Sequence, residues 1–160
     1  MNWELVKIIA VGGLVNVGFV PRSTLIIVAS HNGRGIFDCS TGEKTARDND
    51  DIWKFLDDKT GKLKGFDVLD GQKFQTHGLF GGDNLAKNTV DGWHLRKTNQ
   101  PPFKNNLGEN FVLSSPDKTQ NTIVGNDNIA ETKAFGFSAC EQFLVIASSS
   151  DLIIYRRKND

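Results

Sequence analysis

The chain has 160 residues, enough for one compact unit with a real core, and its 19 Lys and Arg balance 19 Asp and Glu. That balance excludes a chain-wide basic footprint for nucleic acid and an acidic tail; 38% hydrophobic and 9% aromatic content excludes intrinsic disorder. Sixteen glycines and eleven phenylalanines against one methionine favour turns and strands over helices.

In chain order, Glu4–Val11 and Leu14–Val20 are predicted strands separated by a Gly12-Gly13 turn. The apolar run Ile8–Val20 has the length of a signal-peptide core, but Glu4 weakens the positive n-region and no A-x-A site follows, so it reads as mature structure. Leu25–Ala29 is apolar throughout, too short for a good helix and rich in β-formers, which predicts a buried strand. Ser30–Arg34 turns the chain into a third strand ending in Asp38-Cys-Ser-Thr-Gly42. Asp51–Leu56 is the one short helical turn expected. Lys73–Leu79, Trp93–Lys97, Asn110–Ser114, Asn121–Val124 and Lys133–Phe137 read as further strands bounded by Gly, Asn, Asp or Pro. Phe143–Ala147 is a second buried strand, followed by a turn at Ser148–Asp151.

An internal repeat organises these elements. Gly18–Phe37 lies over Gly136–Tyr155 without a gap, at an offset of 118. Each copy reads strand, turn, strand, turn, strand, and resembles a blade of a β-propeller. A propeller needs at least about four blades, more than this length is expected to supply. The expected fold is therefore all-β: an antiparallel β-sandwich of two blade-like meander sheets, in a single domain with at most one short helix. The copies span about 14–47 and 132–157, with an irregular middle at about 48–110. Both buried strands are apolar on two faces, so something must cover the outer ones. The irregular middle, about 48–110, is the expected cover, with Trp53 and Phe55 as candidate contacts.

Catalytic motifs are weak. His31, His77 and His94 lack HxH or HExxH spacing and read as structural, although a small hydrolase or nuclease would have to use them. Asp48-Asn-Asp-Asp51 fails as a calcium loop because Ile52 and Trp53 stand where a ligand and a glycine belong. Gly12-Gly13 and Gly81-Gly82 lack a phosphate-loop lysine, and Ser138 and Ser148–Ser150 form no nucleophile elbow. No catalytic residue, metal or cofactor is expected. Cys39 and Cys140 read as two reduced thiols of a cytoplasmic chain, with a single bridge between them as the alternative. Charge distribution says more: seven aspartates and four lysines fall between Asp48 and Asp70, interleaved with Trp53 and Phe55. One reading is a solvated loop whose aromatics fold back on the core. The sharper one is a binding surface, with Asp48, Asp50, Asp51, Asp57 and Asp58 steering a cationic partner and Trp53 anchoring it.

Gly33–Asp48, Gly78-Leu-Phe-Gly-Gly82, Asp91-Gly-Trp93, Ala134-Phe-Gly-Phe-Ser138 and Ser149–Arg156 together span almost the whole chain. In these segments the chain resembles small immunity proteins of bacterial toxin–immunity pairs, including those of contact-dependent growth inhibition. The resemblance implies a cytoplasmic, non-enzymatic antitoxin that binds the C-terminal domain of a cognate toxin one to one and blocks its active site. It implies no nucleic acid or membrane partner and a free monomer. A nuclease toxin is expected, since carboxylates can stand where phosphates would lie, though the neutral net charge departs from the acidic habit of nuclease inhibitors. The alternative is a propeller-like scaffold or interaction module.

Overall fold

The computed structural model describes residues 2–82, 84–104, 108–127 and 130–159; parts of the irregular middle, at 83 and 105–107, lie outside them. Its strands are Trp3–Ala10 (β1), Leu14–Phe19 (β2), Leu25–Ser30 (β3), Gly33–Asp38 (β4), Lys44–Arg47 (β5), Lys62–Lys64 (β6), Lys73–Gln75 (β7), His77–Gly78 (β8), His94–Thr98 (β9), Asn110–Ser114 (β10), Asn121–Asn126 (β11), Thr132–Phe137 (β12), Phe143–Ser148 (β13) and Asp151–Arg157 (β14). Every pairing is antiparallel, and the fold is all-β. Among the described residues no helix is long and apolar enough to cross a membrane.

The two repeat copies become two sheets. The first copy forms β2, β3 and β4 of a sheet ordered β5-β4-β3-β2-β8 (sheet I); the second forms β12, β13 and β14 of a sheet ordered β1-β14-β13-β12 (sheet II). The outer strand of sheet I, β5, follows β4 directly, whereas that of sheet II, β1, comes from the other end of the chain. The sheets meet through Val17, Ile26, Val28 and Phe37 on one side and Val145, Ala147, Leu152 and Ile154 on the other.

They meet front to back. Ile26 and Val28 face sheet II, but their repeat counterparts Leu144 and Ile146 face away from sheet I. Conversely Val145 and Ala147 face sheet I, while their counterparts Ile27 and Ala29 face away from sheet II. Each sheet is therefore left with a bare apolar face, and each is covered. The β6–β7 hairpin brings Leu63 and Phe74, with Ile52, Leu56 and Leu69, onto Ile27, Ala29 and Ile36 of sheet I. A three-stranded sheet ordered β11-β10-β9 (sheet III) brings Leu95, Phe111, Leu113 and Val124, beside Trp93, onto Leu144 and Ile146 of sheet II.

Four layers thus stand in the order hairpin, sheet I, sheet II, sheet III. The two blade-like sheets of the expected sandwich form the centre, and the middle of the chain adds two smaller layers, of two and three strands. Trp53 is not among the covering contacts. In the 3-10 turn Ile52–Lys54, Ile52 and, one turn later, Leu56 point to the core, which leaves Trp53 47% exposed. A second 3-10 turn, Asp67–Leu69, adds to the one expected, because Leu69 must turn back onto the same cluster. Cys39 and Cys140 are free thiols; burial pushes Cys39 up to about 12, so it is inert.

The end of β14 is tied down by charge. Arg157 donates from both terminal nitrogens to Asp91 at 2.9 and 3.0 Å, and the Thr89 hydroxyl donates to Asp91 at 2.6 Å. Arg157 first, then Thr89, holds the Asp91 carboxyl below the ordinary range. A carboxyl lowered on folding stabilises fully above its unfolded value of about 4 and loses that contribution as pH falls through the folded value. Asp91 is half-exposed, so Asp91→Asn is expected to cost less than about 1 kcal/mol in urea unfolding at pH 7. The difference from the parent protein should shrink as the pH is taken below about 4; an undiminished gap in acid would mean the carboxylate charge is not what counts.

Candidate binding surface

The surface around Trp53 is built on the hairpin layer and pinned to sheet I from below. Arg34 of β4 is 6% exposed and reaches across that layer. Its Nε and Nη2 donate to Asp48 Oδ2 at 2.7 and 2.6 Å, and its Nη1 donates to the carbonyls of Lys64 and Gly65 at 2.8 and 3.2 Å. The guanidinium stacks 3.4 Å from the Phe55 ring centroid and 4.6 Å from that of Phe66. Asp48 Oδ1 also accepts the Arg34 and Asp50 backbone N–H groups.

A second tie runs through Asn16, which is fully buried in β2. Its Nδ2 donates to Thr76 Oγ1 at 3.0 Å and to the Phe80 carbonyl at 2.8 Å, and its Oδ1 accepts the Phe80 N–H at 3.1 Å. Phe80, so fixed, stands edge-on to Trp53 with ring centroids 5.0 Å apart at 84°. Asp51 caps the turn below by accepting the Trp53 N–H at 3.1 Å. The indole is therefore exposed yet held from two sides.

The aspartates divide by what their oxygens already do. Asp48 is spent on Arg34 and Asp51 on its cap. Asp57 Oδ1 accepts the N–H groups of Lys59 and Thr60 at 2.9 and 3.2 Å, and these bonds hold its carboxyl below the ordinary range. Asp50 and Asp58 are exposed, and among the described residues their side chains have no partner. Trp53, Asp57 and Asp58 border one open groove of about 510 Å³; Asp48, Asp50 and Asp51 do not line it.

Three of the four lysines between Asp48 and Asp70 line this groove, joined by Lys73. Alternation along β6 and β7 buries Leu63 and Phe74 and turns Lys62, Lys64, Lys73 and Gln75 outward, with Lys64 opposite Lys73. With Lys54, four lysines and two aspartates line the groove beside Trp53. The two-residue period in Lys62-Leu63-Lys64 and Lys73-Phe74-Gln75 carried the signal. The histidines lie apart: His31 in the β3–β4 turn, His77 in β8, and His94 at the start of β9 with its Nδ1 2.7 Å from Asn88 Oδ1. Among the described residues no three His, Cys, Asp or Glu side chains converge in a metal-binding group. Compared with known proteins, the chain matches no family model, no curated protein and no solved structure.

Proposed function

We propose that this chain is a non-enzymatic binding protein of the immunity kind, which neutralises a cognate toxin domain by seating on it through the Trp53 surface and blocking its active site. The observation that carries the reading is the half-exposed indole of Trp53, fixed before any partner arrives by Phe80 and the Asp51 cap. An aromatic fixed in advance gives up little freedom on binding and suits the centre of an interface. The rim of four lysines and two aspartates in the groove favours an acidic patch on the partner beside the anchor. A nuclease remains the proposed toxin, with Asp50 and Asp58 the carboxylates free to stand in for phosphates.

The test is co-expression with the toxin domain encoded by the neighbouring reading frame, read as growth and as a one-to-one complex by light scattering. Trp53→Ala is expected to fold as the parent does and to weaken the complex by at least about 30-fold, the scale of a hot-spot residue. Reversal of Asp50 and Asp58 to lysine should change affinity more modestly, since neither holds a structural bond. Full protection by Trp53→Ala would sink the assigned surface. A neighbouring product that is no toxin, or an assembly of this chain with itself, would favour the scaffold reading.

A further inference from the structure

We infer that the gap between the outer strands of sheets I and II is a second binding site, for a small organic anion with an apolar body. It is independent of the Trp53 surface and of the toxin reading. Front-to-back packing fills the middle of the interface, but toward β1, β4 and β5 the facing residues become small, and a pocket of about 270 Å³ remains. Ile9, Val28 and Phe37 give it an apolar floor, and Gly35 beneath Phe37 makes room for the ring: a Cβ there would stand 3.0 Å from it.

The rim is cationic and uncompensated. Lys7 of β1 and Lys44 and Arg47 of β5 line the pocket, and among the described residues no Asp or Glu does. Among the described residues none of the three has an ion-pair partner. The fourth basic residue of the lining, Arg34, is neutralised by Asp48. Lys7 is also placed in advance: Gly42, at φ +75°, lets the Lys7 stem pass so close that a Cβ on residue 42 would lie 2.6 Å from Lys7 Cβ. Three unpaired cations above an apolar floor call for an anionic head and an apolar tail, and the volume limits the tail to about one ring. A phosphate or a carboxylate would each serve as the head.

The probes are phenyl phosphate and phenylacetate, with inorganic phosphate and benzyl alcohol as the head and the tail alone, followed by amide NMR on the whole chain. Saturable shifts at Gly33, Gly35 and Gly42 are expected with phenyl phosphate, phenylacetate or both, and whichever binds identifies the head. Inorganic phosphate and benzyl alcohol should each bind at least about tenfold more weakly, because each forfeits one half of the site. The Lys7→Gln/Lys44→Gln/Arg47→Gln variant, altered only at exposed side chains, should weaken binding by at least about tenfold while its other amide shifts stay in place. The inference is overturned if neither organic anion gives saturable shifts at these glycines. Binding of inorganic phosphate as tight as that of phenyl phosphate, or binding unchanged in the triple variant, also overturns it.

Discussion

Arg34→Ala is expected to destabilise the protein by about 3 kcal/mol, read as a fall in the urea midpoint at unchanged slope. The side chain does three things that alanine cannot. It neutralises Asp48, which is 18% exposed, satisfies the Lys64 and Gly65 carbonyls, and fills the space between the Phe55 and Phe66 rings. Its loss leaves a mostly buried carboxylate and two carbonyls without their donor. Arg34→Lys should recover less than half of the loss, because an ammonium neither forks onto one carboxylate while reaching two carbonyls nor stacks as a plane. A cycle with Asp48→Ala should show coupling of about 1 kcal/mol or more. Additive single effects would mean that Arg34 acts through packing alone. Arg34 also holds the layer that carries Trp53, so partner affinity should fall in Arg34→Ala although no contact residue is changed.

Trp3→Ala is expected to cost more, about 4 kcal/mol, which is a large share of the 5–15 kcal/mol that holds a domain folded. Trp3 is 1% exposed and joins three parts of the molecule. It leaves β1, packs edge-on to Trp93 at 6.2 Å and against Phe137 of β12 at 5.4 Å, and lies 5.0 Å beneath the Arg157 guanidinium of β14. Since, among the described residues, β14 is the one strand paired with β1, its anchor is this ring as much as its ladder. The indole N–H is buried and finds no acceptor among the described residues. Trp3→Phe therefore sheds an unsatisfied donor as it loses ring area, and should cost less than about 1.5 kcal/mol. A Trp3→Phe loss as large as that of Trp3→Ala would show that the nitrogen matters after all.

The repeat and the two continuous apolar runs made the centre of the fold legible, since strands buried on both faces advertise themselves without alternation. They also implied that outer layers must exist. The direction of stacking was not legible, because Ile26 and Ile27 are chemically alike and nothing local says which of them faces the other copy. Strand β5, Lys44-Thr-Ala-Arg, has almost no apolar content and is held by its ladder to β4; β6 buries only Leu63. Both were invisible for that reason. Lys73–Leu79 reads as one strand but breaks at Thr76, whose backbone N–H and hydroxyl both turn to the Gly61 carbonyl. Phe55 was legible as partial cover, whereas a string of carboxylates does not reveal which oxygens the backbone has already claimed.

Layers that stack in one sense have an implication for assembly. Such an array has unlike ends, and unlike ends invite elongation, one molecule's last layer receiving another's first, toward a filament rather than a closed pair. Here one end presents Lys62, Lys64 and Lys73, and the other presents Arg96, hydrogen-bonded through Ser114 to Asn121 at 2.6 Å each. Both ends carry cations, but the first also presents Trp53, Asp57 and Asp58 and the second the exposed Ile123, so only part of such a contact would set cation against cation. Setting those cations against one another would be costly, which disfavours growth by end-to-end stacking.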